Sequence, residues 1–109
     1  MRIVTHTEVT YMSFTQTLEV LDLTTFTAAN PNIRSDRGTV FEFTGPAPMT
    51  KIIDAPIAGF SNHVWVKNST AFILTLDPDG FNIDGAADLA VPANAHFHLL
   101  WTGTTWITI

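Results

Sequence analysis

Cysteine is absent from the 109-residue chain, and charged residues are scarce. The lack of cysteine excludes a disulfide framework, a thiolate nucleophile and a thiolate metal site. Charged residues make up 14% of the chain, compared with about 25% in an average soluble domain. A monomer of this size exposes most of its polar positions to water, so we expect part of the surface to be covered by further copies of the chain or by another protein.

Positive charge is especially rare, and the formal net charge is −5. The five basic residues, Arg2, Arg34, Arg37, Lys51 and Lys67, do not cluster in the sequence. Domains that bind nucleic acid carry a basic patch that contacts phosphate. The composition therefore argues against a nucleic-acid partner.

Long hydrophobic runs are also missing. The N-terminal stretch MRIVTHTEVTYMSF is polar at every second or third position, which is typical of neither a signal peptide nor a membrane anchor. Residues 89–109 contain no acidic or basic side chain, but Pro92, Asn94, two histidines and four threonines interrupt them. Such a segment does not form a membrane-spanning helix, so we expect no membrane partner.

Residues that favour β-strands are abundant instead, and threonine alone occurs 17 times. Side chains alternate in character along TVFEFTG, HVWVKNS and AFILTL, as they do in half-buried strands. The alternation predicts three sets of residues that share a strand face: Phe41 with Phe43, Val64 with Val66, and Phe72 with Leu74 and Leu76.

Turn-forming sequences such as SDRG, DPDG and TGT separate these stretches at short intervals. The spacing predicts an all-β fold, in the form of a single-domain antiparallel β-sandwich or barrel of the jelly-roll type. At the end of the chain we expect a hairpin of His96–Trp101 and Thr105–Ile109, with Gly103 supplying the positive φ of its tight loop.

The order of strands and turns from residue 37 to residue 109 is distinctive. An opening strand, RGTVFEFTG, is followed by the segments Val64–Asn68, Phe72–Leu76, Ile83–Gly85, Leu89–Pro92 and His96–Trp101, then by Gly103 and Trp106. This order resembles the small β modules of tailed-bacteriophage virion proteins, which occur in tail fibres, tail spikes, head fibres and capsid decoration proteins.

The resemblance implies a non-enzymatic virion structural protein, assembled in the host cytoplasm, that decorates or reinforces the capsid or tail. Modules of this kind are usually homotrimers, so the implied partners are further copies of the chain and other virion proteins. Residues 37–109 would form the module, and residues 1–36 an N-terminal segment of the same domain, with an attachment arm and the first strands. The alternative is a host-receptor or carbohydrate-binding module at a fibre tip.

His96 and His98 are the first candidate site. On a strand they share one face, opposite Phe97, Leu99 and Trp101. In a trimer such a strand near the axis would bring six imidazoles together, and imidazole suits zinc or nickel. No acidic residue lies nearby in the sequence as a third ligand, so we expect the pair to hold no metal and the protein to need no cofactor.

Oxygen donors in DPDGFNIDG form a second candidate site, for calcium. Asp77, Asp79, Asn82 and Asp84 are closely spaced, as a hard cation prefers. The EF-hand register fails, however, because no glutamate stands at the twelfth position. Two consecutive turns explain the same residues, since aspartate is common in turns.

The remaining candidates concern binding and packing. Trp65 shares a strand face with Lys67 and is a candidate sugar contact. No serine lies in a nucleophile motif, so we expect no catalytic residue. Six further residues are assigned to the core or to an oligomer interface: Leu89, Val91, Phe97, Leu99, Trp101 and Trp106.

Overall fold

Eight β-strands make up the regular structure of the computed structural model, which describes residues 22–109. They are β1 (Leu23–Phe26), β2 (Val40–Phe43), β3 (Met49–Ile52), β4 (His63–Asn68), β5 (Leu74–Asp77), β6 (Leu89–Val91), β7 (His96–Trp101) and β8 (Trp106–Thr108). No helix occurs within the described residues, and hence none that could cross a membrane. The predicted all-β class is confirmed.

The strands form two sheets. The large sheet has the order β1-β2-β4-β7-β8, and the small sheet has the order β3-β5-β6. From β2 the chain crosses to β3 in the small sheet, returns to β4 in the large sheet, and crosses again to β5. The first five strands therefore wind as a coil whose two sides are the two sheets.

This winding makes the fold mixed, and the prediction of an antiparallel arrangement is wrong. The pairs β1–β2, β2–β4 and β3–β5 are parallel, whereas β4–β7, β5–β6 and β7–β8 are antiparallel. Each full turn of the coil brings the chain back to the same sheet in the same direction. The sequence pattern does not reveal strand direction. A strand with one buried face shows the same alternation whether it runs parallel or antiparallel to its neighbour.

A single hydrophobic core lies between the sheets. The large sheet contributes its inward side chains Phe26, Phe41, Phe43, Val64, Val66, Leu99 and Trp106, and the small sheet contributes Leu74, Leu76 and Val91. Ile33 and Ile53 join them through an isolated parallel bridge that continues the small sheet beyond β3. Because Phe26 and Ile33 belong to this core, the described part of residues 1–36 is integral to the domain. The predicted attachment arm falls largely on residues 1–21, outside the described range.

The turn after β4 is organised by Asn68, which is fully buried. Its Nδ2 donates to the carbonyl oxygens of Phe72, Val91 and Pro92 at 2.6, 3.0 and 3.1 Å. Its Oδ1 accepts from the backbone N–H and the hydroxyl of Thr70 at 3.0 and 2.7 Å. This one side chain therefore ties the end of β4 to the start of β5 and the end of β6.

The same turn corrects the predicted strand at 72–76. β5 begins at Leu74, and Phe72 precedes it with 39% of its surface exposed. The Phe72 carbonyl is held by Asn68 and its N–H by the Thr70 hydroxyl at 3.0 Å. These local hydrogen bonds keep the backbone in the turn, so Phe72 does not join Leu74 and Leu76 in the core.

The terminal hairpin forms as β7 and β8 around Gly103, whose φ is 105°. β7 has the predicted bounds, His96–Trp101. β8 is shorter than predicted because Thr105 belongs to the loop. Its carbonyl oxygen accepts the Thr102 N–H at 2.9 Å.

Lys51 is an unexpected member of the interior. It lies on the inward side of β3 with only 2% of its surface exposed. Its Nζ donates to the Ala28 carbonyl oxygen at 2.7 Å and lies 4.3 Å from the centre of the Phe26 ring. Burial, followed by the nearby charge of Arg37, lowers the pKa of this amine. Lys51 thus links the small sheet to the loop that follows β1.

Candidate functional site

The outer face of the large sheet is apolar over most of its width. In the strand register Leu23 lies beside Val40, Val40 beside Trp65, and Trp65 beside His98, so these four side chains cross the sheet in one row. A neighbouring row continues the surface. We call the combined surface the aromatic face; its residues are Leu23, Val40, His63, Trp65, His98, Leu100 and Ile107.

Three rings form the centre of this face. The Trp65 indole is stacked on the His98 imidazole, with centroids 3.9 Å apart and planes inclined by 12°. His63 Nδ1 lies 2.7 Å from His98 Nε2, which is a hydrogen bond between the two imidazoles. His63 also stacks towards Trp65 at 6.0 Å. Burial, followed by the charge of His63, lowers the pKa of His98.

One end of the aromatic face is charged. Glu42 and Lys67 are register partners on β2 and β4, and His96 is the partner of Lys67 on β7. Glu42 accepts a hydrogen bond from Ser69 Oγ at 2.6 Å, and Lys67 Nζ donates to the Asn94 carbonyl oxygen at 2.9 Å. These residues and the edge of the aromatic face line a groove of about 320 Å³.

The two histidines singled out in the sequence therefore have different surroundings. His96 and His98 lie on the same side of β7, but His96 is exposed beside Lys67 and His98 is half-buried against Trp65. The partner of His98 is His63, which sequence reasoning missed. Its only signal is its spacing of two from Trp65, and that becomes informative once the pairing of β4 with β7 is known.

Trp65 and Lys67, the candidate sugar contacts, do share the outer face of β4. Trp65 is half-buried, because one side of its ring is occupied by His98. The Lys67 amine is held by Asn94. The pair lines the groove at the edge of the aromatic face rather than an exposed platform.

Two of the four residues in the calcium hypothesis, Asp77 and Asp84, use their carboxylates in separate local structures. Asp77 Oδ1 accepts the Asp79 N–H at 2.9 Å, within the turn. The Asp84 carboxylate accepts both the N–H and the hydroxyl of Thr108 on β8. The Asn82 carbonyl oxygen accepts the Trp106 N–H at 2.9 Å. Within residues 22–109 no three histidine, aspartate or glutamate side chains are grouped as metal ligands.

The outer face of the small sheet differs from the aromatic face in being polar. A groove of about 420 Å³ lies there, beside the Phe81 ring, which is 43% exposed. Its polar walls are the side chains of Thr50, Thr75, Asp77, Asn82 and Asp88. The Phe81 ring packs edge to face against Trp101, with ring centroids 4.9 Å apart.

The six residues assigned to the core or to an oligomer interface are buried to different extents. Three are fully buried: Val91, Leu99 and Trp106. The other three are half-buried and pack against the core: Leu89, Phe97 and Trp101. None of the six lies on the aromatic face. Leu89 and Val91 are on β6 of the small sheet, and the other four point to the opposite side of β7 and β8 from His98, Leu100 and Ile107.

Comparison with known proteins adds no relative: no protein family, curated protein or solved structure matches the chain.

Proposed function

We propose that the chain is a non-enzymatic structural subunit of a bacteriophage virion that associates with further copies of itself through the aromatic face, three copies completing the assembly. The observation that carries the proposal is the composition of this face. Its row across four strands is Leu23, Val40, Trp65 and His98, without a charged side chain. Leu23 is 60% exposed in the single chain, so a partner would bury apolar area that is now in water.

The charged end of the face supports a second copy as the occupant. Glu42 and Lys67 lie side by side, yet each is satisfied by a neutral hydrogen-bond partner rather than by the other. Two copies could therefore match the carboxylate of one to the amine of the other. An apolar centre with a polar rim is the usual anatomy of a stable protein interface.

Self-association is tested by sedimentation velocity of wild type and two lysine variants. Leu100→Lys places a charge in the middle of the aromatic face, where burial in an interface is costly. Ala90→Lys places the same charge on the small sheet. We expect an oligomer for wild type and Ala90→Lys, and a monomer for Leu100→Lys. A monomeric wild type at micromolar concentration, or equal dissociation of both variants, would contradict the proposed interface.

The virion assignment is tested on particles. Mass spectrometry of purified phage should find the chain in a fixed ratio to the capsid or tail proteins, and electron microscopy with a specific antibody should label one structure. A chain confined to the soluble lysate would refute the assignment even if it forms trimers.

Carbohydrate binding is the second candidate function, and the groove beside Phe81 favours it. An exposed aromatic ring with carboxylate, amide and hydroxyl groups around it provides both stacking and hydrogen bonding for a sugar. A glycan array with wild type and Phe81→Ala tests this role. Binding that is lost in Phe81→Ala but kept in Trp65→Ala would locate it in this groove.

A further inference from the structure

We infer that His63 and His98 form a binding site for a borderline divalent transition-metal ion such as Zn²⁺, Ni²⁺ or Cu²⁺. The inference rests on the imidazole pair of a single chain. Because the pair lies on the aromatic face, we expect ion binding and the proposed self-association to influence each other, and calorimetry and sedimentation of the same samples separate the two. Imidazole nitrogen is a good ligand for each of these ions.

The two nitrogens already face each other. His63 Nδ1 and His98 Nε2 are 2.7 Å apart, and the ring centroids are 4.9 Å apart. Zinc binds imidazole at about 2.0–2.1 Å, so two nitrogens of a tetrahedral ion lie about 3.3 Å apart. An ion could thus replace the proton of the hydrogen bond if the two nitrogens separate by roughly 0.6 Å and the His63 ring turns so that both nitrogens point at the ion.

The surroundings favour a neutral, oriented ligand. Stacking on Trp65 at 3.9 Å fixes the plane of the His98 ring. Metal binding requires an unprotonated imidazole, and the hydrogen bond between the two rings requires that one of the facing nitrogens is an unprotonated acceptor. The structure thus keeps the His98 ring oriented before an ion arrives.

The site is open rather than closed. The pair supplies two ligands, and within residues 22–109 no third histidine or acidic residue is grouped with it. The other ring nitrogens of His63 and His98 make no hydrogen bond to the described residues. Structural zinc sites have four protein ligands and outer-shell support, so we expect micromolar affinity with water in the remaining positions.

His96 is excluded from this site by its neighbour. Its register partner on β4 is Lys67, whose ammonium group repels a cation. His96 therefore provides the matched control: it lies on the same strand and the same face as His98 but outside the pair.

The test is calorimetric titration of untagged protein with ZnCl₂ and, separately, NiCl₂ at neutral pH. We expect one ion per chain for wild type and for His96→Ala and His6→Ala, and no binding for His63→Ala or His98→Ala. Thermal unfolding of the variants without metal verifies that they are folded. If binding is lost in His96→Ala and His98→Ala but kept in His63→Ala, the ion is bound by His96 and His98, and the inference is overturned. An absence of binding by wild type would do the same.

A second readout places the ion beside Trp65. Cu²⁺ quenches indole fluorescence at short range, so titration should quench wild type and His96→Ala in a saturable manner. Loss of the saturable component in Trp65→Phe, with calorimetric binding retained, is the expected result. Undiminished quenching in that variant would place the ion elsewhere. Sedimentation of the same samples shows whether self-association fails independently of metal binding.

Discussion

The indole of Trp65 covers the imidazole of His98, its direct cross-strand partner, at a centroid distance of 3.9 Å. The contact shields one side of the imidazole from water, and this burial is the main reason that the pKa of His98 is lowered. The pair therefore links a structural contact on the aromatic face to proton binding.

The first prediction follows from that link. The folded chain binds a proton at His98 only at a lower pH than the unfolded chain does, so the free energy of unfolding should fall as pH drops from about 7 through the folded pKa of His98. Urea unfolding between about pH 7.5 and about pH 5.5 should show a smaller fall in His98→Gln than in wild type. His96→Gln, on the same face, is the control and should behave as wild type. An identical fall in all three proteins would contradict the prediction.

Replacement of Asn68 by alanine should lower the free energy of unfolding by about 2–4 kcal/mol, because it removes the hydrogen bonds of a fully buried amide. The lost partners are the Thr70 N–H and hydroxyl and the carbonyl oxygens of Phe72, Val91 and Pro92. Asn68→Asp should cost more, since a carboxylate would face those carbonyls. Denaturant unfolding measures both, and Asn62→Ala, at an exposed position, should change stability by less than about 0.5 kcal/mol. A loss from Asn68→Ala as small as the control would rule out the bridging role.

Trp106 is fully buried, and its indole N–H has no hydrogen-bond partner among the described residues. Trp106→Ala should cost about 3–5 kcal/mol, as loss of a large core aromatic does. Trp106→Phe should cost markedly less, because it removes an unpaired N–H together with part of the ring. Thermal and denaturant unfolding of both variants test the order. A loss of under about 1 kcal/mol for alanine would mean that Trp106 is not part of the core.

Lys51 gives a prediction about buried charge. Its amine is buried with a carbonyl oxygen as its hydrogen-bond partner, and burial lowers its pKa. Lys51→Met keeps most of the packing and removes the desolvated charge, so we expect a change within about 1.5 kcal/mol. Lys51→Ala should cost about 2–4 kcal/mol through the cavity that it leaves. Equal losses in the two variants would show that the charge, not the packing, is what the fold requires.

Alternation along β2 and β4 identified the inward sets correctly, because burial of one strand face imposes a period of two. Phe41, Phe43, Val64 and Val66 are all in the core. The same reasoning failed at Phe72, where side-chain hydrogen bonds from Asn68 and Thr70 outweigh the apolar pattern. Local polar contacts of this kind depend on geometry that an alternation does not encode.

The candidate site was predicted in part, for a related reason. Sequence spacing places His98 on the outer side of its strand, but it does not say which strand lies alongside. His63 and His98 are 35 positions apart, and only the pairing of β4 with β7 joins them. Parallel winding was missed because strand direction depends on the crossovers, which leave no periodic signal.

Winding between the sheets also bears on biosynthesis. β4 has β2 on one edge and β7 on the other, and β7 follows β4 only after β5 and β6. While the chain leaves the ribosome, β4 thus keeps an open edge until the C-terminal strands have emerged, and such edges promote aggregation. Pairings of this sequence separation form late and slowly. The large sheet is therefore completed only after β7 has emerged, and a product truncated before His96 would emerge with its β4 edge unprotected.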